Sequence, residues 1–272
     1  MSPPLRVIKG WTSMSSVKRV FADGKAFIPF ITAGDPSLDI TEKLVHEMTD
    51  AGADLIELGI PFSDPIAEGP VIQEADIRAL QAGTTADHIF EMVRRIRKTN
   101  QVPIAFMTYI NPIFAYGVER FMKNCRQADI CAIIVPDLPF EERAELQSVC
   151  QAHGVDLISM IAPTSNERIR SIAKEAEGFI YCVSSMGVTG VREKISNDVK
   201  EMIRLVKEVK DIPCAIGFGI STPEQAANMA EISDGVIVGS AIVKIIAEHG
   251  KDCVPFVSRY VREMKNAIVN KC

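Results

Sequence analysis

Apolar residues follow two rhythms along this chain, and the two alternate. The first is short and unbroken. "AFIPFITA" (26–33), "ADLIELG" (53–59), "VPIAFMTY" (102–109), "ICAIIVPD" (130–137), "VDLISMIAP" (155–163), "GFIYCVSS" (178–185), "IPCAIGFG" (212–219) and "GVIVGS" (235–240) are rich in Val, Ile and Phe. Continuous apolar character, as opposed to an every-other pattern, predicts strands covered on both faces. The second rhythm is helical. "SLDITEKLVHEMTDAG" places Leu38, Leu44, Val45 and Met48 on one face and meets a stop at Gly52. "TADHIFEMVRRIRKTN" does the same with Ile89, Met92, Val93 and Ile96, and puts basic residues in its last turn. "SNERIRSIAKEAEG", "SNDVKEMIRLVKEVK" and "TPEQAANMAEISDG" repeat the plan.

Eight strand–helix units predict an α/β fold, a (β/α)8 TIM barrel forming a single domain over residues 1–272. The segment before Ala26 is expected to add an N-terminal helix under the barrel, and "FVSRYVREMKNAIVN" to close it. An open doubly wound sheet is the alternative. It usually has fewer strands, and no GxGxxG opens a helix here. No low-complexity linker marks a domain boundary.

Composition narrows the partners. With 47% hydrophobic and 24% charged residues, the chain reads as soluble and globular. A formal net charge of −5 argues against nucleic acid or an anionic membrane as the main partner. An anionic substrate would have to be held locally, by backbone amides. No apolar stretch approaches a membrane span or a secretion-signal core. The seven cysteines are irregularly spaced with no CxxC, as expected of buried thiols in the cytoplasm. The four histidines lack metal-ligand spacing, so no metal site is expected.

In such a barrel, chemistry gathers where strands end and βα loops begin. Glu57 lies at such an end. Side chains 53, 55 and 57 share one strand face, so Ala53, Leu55 and Glu57 form the expected interior set. A carboxyl group there is either a structural one hydrogen-bonded to a neighbouring strand or, desolvated and with its pKa raised, one that exchanges protons near neutral pH; the position favours the second. The following loop, "GIPFSDPIAEGP", is long and rich in Pro and Gly. Asp64 suits a turn. Glu68 suits either a helix entry or a second acid over the mouth.

Two later strand ends carry glycines before helix starts: Gly217 and Gly219 in "AIGFGIST", and Gly239-Ser240 in "VIVGSAIV". Free amides at a helix start beside glycine suit a phosphate, and this fold often builds its phosphate site there. "SSMGVTGVREKIS" has the length of a lid, with Thr189 and Gly190 close enough to add contacts. The aromatic stretches "YINPIFAYG" and "VPDLPFEE", read as loops, suit a flat ligand or simple rim packing. Asp137 is expected to cap a helix near Glu141. No predicted strand contains a lysine, so an imine route is disfavoured. The residues alone thus describe proton-transfer chemistry on a phosphate ester.

"PFITAGDPS", "IELGIPFSDPIAEGP", "VPDLPFEE", "GVTG", "GFGIST" and "GVIVGSAIV" stand in an order that resembles the tryptophan synthase alpha subunit family across nearly the whole chain. The resemblance implies retro-aldol cleavage of indole-3-glycerol phosphate to indole and glyceraldehyde 3-phosphate, a lyase step of tryptophan biosynthesis. It implies Glu57 as general acid/base and Glu68 as second acid. It places phosphate on Gly190, Gly217, Gly219, Gly239 and Ser240, and the remainder of the substrate against Phe30, Tyr109, Tyr181 and Thr189. The family's second acid is usually the aspartate of "ADGP"; here the chain reads "AEGP", with the charge kept and the reach one methylene longer. No cofactor is implied in this chain. Pyridoxal phosphate belongs to the implied partner, a tryptophan synthase beta subunit in an αββα heterotetramer, with the "PFSDP" and "VPDLP" loops at the interface. A stand-alone lyase and a weakened alpha subunit that mainly activates its partner are the rival readings.

Overall fold

A computed structural model describes residues 16–183, 192–217 and 219–269 of the chain. Nine strand segments, all paired in parallel, form the barrel. They are β1 (Ala26–Thr32), β2 (Ile56–Gly59), β3 (Ile104–Met107), β4 (Ile130–Ile134), β5 (Asp156–Leu157), β6 (Ser159–Ile161), β7 (Ile180–Val183), β8 (Cys214–Gly217) and β9 (Gly235–Val238). Their order is β5-β4-β3-β2-β1-β9-β8-β7-β6. The two ends of that order are one stretch of chain. β5 pairs with β4, the Ile158 N–H donates to Ile133 O at 2.9 Å, and from Ser159 onward the chain pairs with β7. The ring therefore closes through a single stave that changes partner at Ile158. The eight expected strands are present, the fifth in two segments.

Helices cover the outside, and several have capped starts. Ser37 accepts the Ile40 N–H at the start of α2 (Leu38–Asp50). Pro70 opens α3 (Pro70–Gln81), Thr85 caps α4 (Ala86–Ile96) and Ser165 caps α8 (Asn166–Glu175). Each of these serine and threonine caps satisfies one otherwise free amide of the first turn. Before Ala26 the described residues form only a short helix, α1 (Ser16–Arg19). Its Val17 is fully buried among barrel-interior residues, and Phe21 packs on Phe179 at 5.5 Å between centroids. The expected plug under the barrel is present to that extent; residues 1–15 lie outside the described set. α12 (Val254–Val269) closes the barrel, burying Val257, Val261, Met264 and Ile268.

"YINPIFAYG" is not a loop. It forms α5 (Ile110–Tyr116), followed directly by α6 (Val118–Gln127). The Ile110 N–H at its start is accepted by Asp137 Oδ1 at 3.0 Å, from the next βα loop. Asp137 therefore caps α5 and not the helix near Glu141, which begins as α7 (Arg143–His153).

Packing divides into two shells. Phe27, Ile31, Ile56, Leu58, Ile104 and Phe106 face the helices, whereas Ile28, Phe30, Leu55, Ala105, Ala132 and Tyr181 fill the interior. Leu55 is interior as expected, but Ala53 belongs to the outer shell, because β2 begins only at Ile56 and the alternation does not extend back to 53. Fully burying a Leu or Phe side chain contributes about 1.5–3 kcal/mol, so the two shells together fix which strand face looks inward.

Candidate active site

Register sets the mouth. Phe30 pairs with Glu57, Glu57 with Ala105, and Ala105 with Ala132, so four side chains share one interior layer. Two are alanines. Their small size leaves space over Glu57, while Phe30 and Tyr181 form walls. The result is a cavity of about 370 Å³ at the C-terminal end of the strands, lined by Glu57, Glu68, Phe30, Tyr181, Gly239 and Ser240 among others.

Glu57 is 1% exposed, and neither carboxyl oxygen has a hydrogen-bond partner among the described residues. Burial, with a smaller contribution from the nearby charge of Glu68, raises its pKa from 4.5 to about 8. A buried, unpaired carboxyl is neutral near pH 7 and becomes an acid in the chemical sense. Glu68, half-buried, is also raised by burial.

The loop that carries Glu68 is held from below and beside. Tyr109, from the end of β3, accepts the Ala67 N–H at 2.9 Å, and its ring lies 5.3 Å from Phe62. Gln73 of α3 donates to Glu68 O at 2.8 Å. Asp64 is exposed, takes the Ser63 hydroxyl, and its carbonyl accepts the Ile66 N–H at 2.9 Å: a turn residue, as expected. Tyr109 does not line the cavity; it positions the loop.

The two glycine-bearing helix starts differ. α10 (Pro223–Ala230) is closed upon itself by a capping box, with Gln225 Oε1 accepting the N–H groups of Ser221 and Thr222. α11 (Ser240–His249) has Gly239 as N-cap, and among the described residues no side chain caps it. Gly239, Ser240 and Ala241, the residues of this helix start, line the cavity, as an anion site at a helix start requires. Gly219, at φ +75°, also lines the cavity. Gly217 does not; it sits within β8, and any Cβ there would strike the Tyr181 ring. Its lack of a side chain makes room for the wall of the cavity. Thr189 and Gly190 lie outside the described residues.

One neighbour of the site, Asp76, and one cavity residue, Lys244, escaped the sequence reading. Asp76 lies on the buried face of α3 with Ile72, Ala75 and Ala79, a helical spacing visible in "VIQEADIRAL". Burial foremost raises its pKa to about 7; the Phe62 N–H and the Thr32 hydroxyl, at 3.4 Å, oppose the shift, and the charges of Glu68 and Asp35 add to it. Lys244 lines the cavity one turn beyond Ser240 on α11. Its i+4 spacing was the available signal. Nearby, Asp35, 1% exposed, takes a bidentate pair from Arg78 at 2.8 Å on both oxygens. Among the described residues no His/Cys/Asp/Glu group is arranged to hold a metal ion.

A parallel barrel whose strand ends surround an unpaired carboxyl and an open helix start is a TIM barrel suited to acid–base chemistry beside an anion. The family model for the tryptophan synthase alpha chain matches residues 18–269. The tryptophan synthase alpha chain of Lacticaseibacillus casei is 46% identical over 255 residues, covering 94% of this chain and 96% of that one. That of Citrifermentans bemidjiense is 49% identical over 247 residues, covering 90% and 92%. Among solved structures, the tryptophan synthase subunit alpha of Legionella pneumophila superposes with a TM-score of 0.86 at 38% identity, covering 95% and 100%. A chain from the tryptophan synthase a2b2 complex of Pyrococcus furiosus gives 0.82 at 38%, covering 89% and 98%. The chain belongs to the tryptophan synthase alpha chain family.

Proposed function

We propose that this chain is a tryptophan synthase alpha subunit that splits indole-3-glycerol phosphate into indole and glyceraldehyde 3-phosphate. The observation that carries the reading is Glu57: buried, unpartnered among the described residues, near neutral in pKa, and in one cavity with an uncapped helix start.

The α11 start and Gly219 hold the phosphate, with Lys244 supplying the positive charge that the acidic chain otherwise lacks. The indole ring lies between Phe30 and Tyr181. Glu68 accepts the indole N–H and stabilises the tautomer protonated at C3. Glu57, protonated at rest, gives its proton to C3. The bond from C3 to the glycerol carbon then breaks, and its electron pair returns to the ring through the C=N⁺ group. The carboxylate of Glu57 takes the proton of the adjacent glycerol hydroxyl as the aldehyde forms. One proton is given and one recovered, so the residue is ready for another cycle. The ring itself is the electron sink, so this chain needs no cofactor; pyridoxal phosphate is assigned to the partner.

For the partner we propose a beta subunit in an αββα assembly. Ile66 (83% exposed) and Phe114 (58% exposed) stand on the loop after β2 and the helix after β3, apolar and open to solvent, which suits a protein interface. No described helix is long and apolar enough to cross a membrane, which fits the cytoplasm as the proposed location.

Indole release, measured with and without a beta subunit, tests the reading. Turnover that rises with the partner is expected. High turnover alone favours a stand-alone lyase, and no turnover beside a stimulated partner favours a pure activator. Glu57→Gln should lower indole release by about 10²–10⁴-fold while glycerol phosphate still binds; unchanged turnover would sink the acid–base assignment.

A further inference from the structure

A second cavity, of about 360 Å³, lies between the β4 and β5–β6 staves and helices α7 and α8. Among the described residues it shares no lining residue with the cavity around Glu57. Most of its wall is apolar: Val135, Leu138, Phe140, Leu157, Ile161 and Ile172. Against that wall stands Arg143, the first residue of α7, only 5% exposed.

The Arg143 guanidinium is under-satisfied. It has five N–H donors. Nη1 donates to Ser159 Oγ at 2.5 Å and Nη2 to Leu157 O at 3.3 Å. Nε is buried with no acceptor among the described residues. The Phe140 ring lies 5.8 Å from the guanidinium carbon, at the outer limit of a cation–π contact. No carboxylate forms an ion pair with Arg143 among the described residues, whereas the exposed Arg168 on the same cavity is neutralised by Glu141. The charges of Glu175 and Glu177 reach Arg143 without forming an ion pair with it; burying a cation with no counter-ion in direct contact is costly, and an apolar residue of similar size is often better tolerated. Among the described residues the Arg143 hydrogen bonds go only to a hydroxyl and a carbonyl.

We propose that this cavity is a binding site for a small organic monoanion, a carboxylate on an apolar body. Its charge would meet the Arg143 guanidinium beside Ser159, and its body would lie on the apolar wall. Arg suits a carboxylate because its planar fork matches two oxygens. The volume suits a ligand of one ring with a short chain.

The test uses the isotope-labelled full chain, titrated with 3-phenylpropionate and, separately, with the uncharged 3-phenylpropionamide. Saturable shifts of the amides of residues 157–162 are expected with the carboxylate and not with the amide. Arg143→Met should weaken carboxylate binding by about tenfold or more, the ratio that loss of a charge-assisted hydrogen bond gives. It should also raise the melting temperature of the ligand-free chain, an outcome that a purely structural arginine would reverse. Ala162→Trp, at the exposed mouth, leaves Arg143 in place and should block binding equally if the first variant does not fold. Equal binding of acid and amide, shifts confined to Gly239 and Ser240, or affinity unchanged in both variants would overturn the site.

Discussion

Two acids at the bottom of this barrel and Glu57 at its top are treated in opposite ways. At the bottom, where strands begin, the two are tied down. Asp54 accepts the Phe27 N–H at 2.7 Å and pairs with Lys265 of α12 at 2.7 Å. Asp234 accepts the Cys214 N–H at 2.8 Å and pairs with Lys207 at 2.9 Å. At the top, Glu57 is buried deeper than either and bonds to nothing described. The lower acids stabilise the fold as anions, linking strand starts to helices. The upper one costs stability whenever it ionises, and that cost keeps its proton available. Asp35, equally buried at the top but held by Arg78, shows that the presence of a partner, as well as position along the strand, decides which role an acid takes.

The sharpest way to break the contrast is Glu57→Gln with stability and turnover measured together. The native group titrates near 8 and the unfolded one near 4.5. Between those values the unfolded chain has shed a proton that the native one keeps, so stability falls as pH rises through that window and levels off above it. Each pKa unit is worth about 1.4 kcal/mol, so melts across pH 5 to 8 should slope downward in the parent and lie flatter in the variant, even as indole release collapses. Asp54→Ala should do the reverse. It orphans the Phe27 N–H and should cost about 1–3 kcal/mol in denaturant unfolding with turnover per folded molecule unchanged; a large loss of turnover would erase the distinction between the two ends.

Smaller effects sharpen the comparison. Glu68→Asp shortens the second acid by a methylene and should hold or raise the rate of indole release. A fall of a hundredfold, the kind a misplaced group causes, would show instead that the cavity is shaped around glutamate. Asp76→Asn keeps one oxygen acceptor, enough for the Thr32 hydroxyl, while removing a group that titrates near 7. It should change turnover at pH 6 by less than about threefold and flatten the pH–rate curve on the alkaline side, where Asp76 would otherwise ionise beside Glu68.

Much of this was readable from the chain. The strands were visible because burial on both faces makes them continuous apolar runs, and Glu57 because a carboxyl inside such a run is anomalous. What could not be read depended on distant atoms. "YINPIFAYG" looks like a loop because the acceptor that starts its helix, Asp137, is 27 residues away. The fifth stave looks whole because its change of partner at Ile158 is a property of the ring. Gly217 resembles a phosphate-loop glycine, but its role is to accommodate Tyr181, whose position only the sheet register supplies. Asp76 and Lys244 were within reach, since both fall at helical spacing from residues already noted.

The Asp137 bond gives the rim a mechanical order. Asp137, after β4, holds the amide of Ile110, after β3; the neighbouring Tyr109 hydroxyl holds the amide of Ala67, next to Glu68. Three successive loops are thus threaded in series, like links of a chain drawn across the mouth. A tug on the loop after β4 has two hydrogen bonds to cross before it reaches the second acid. A protein seated on the outer links would therefore have a grip on the innermost one without ever touching the substrate.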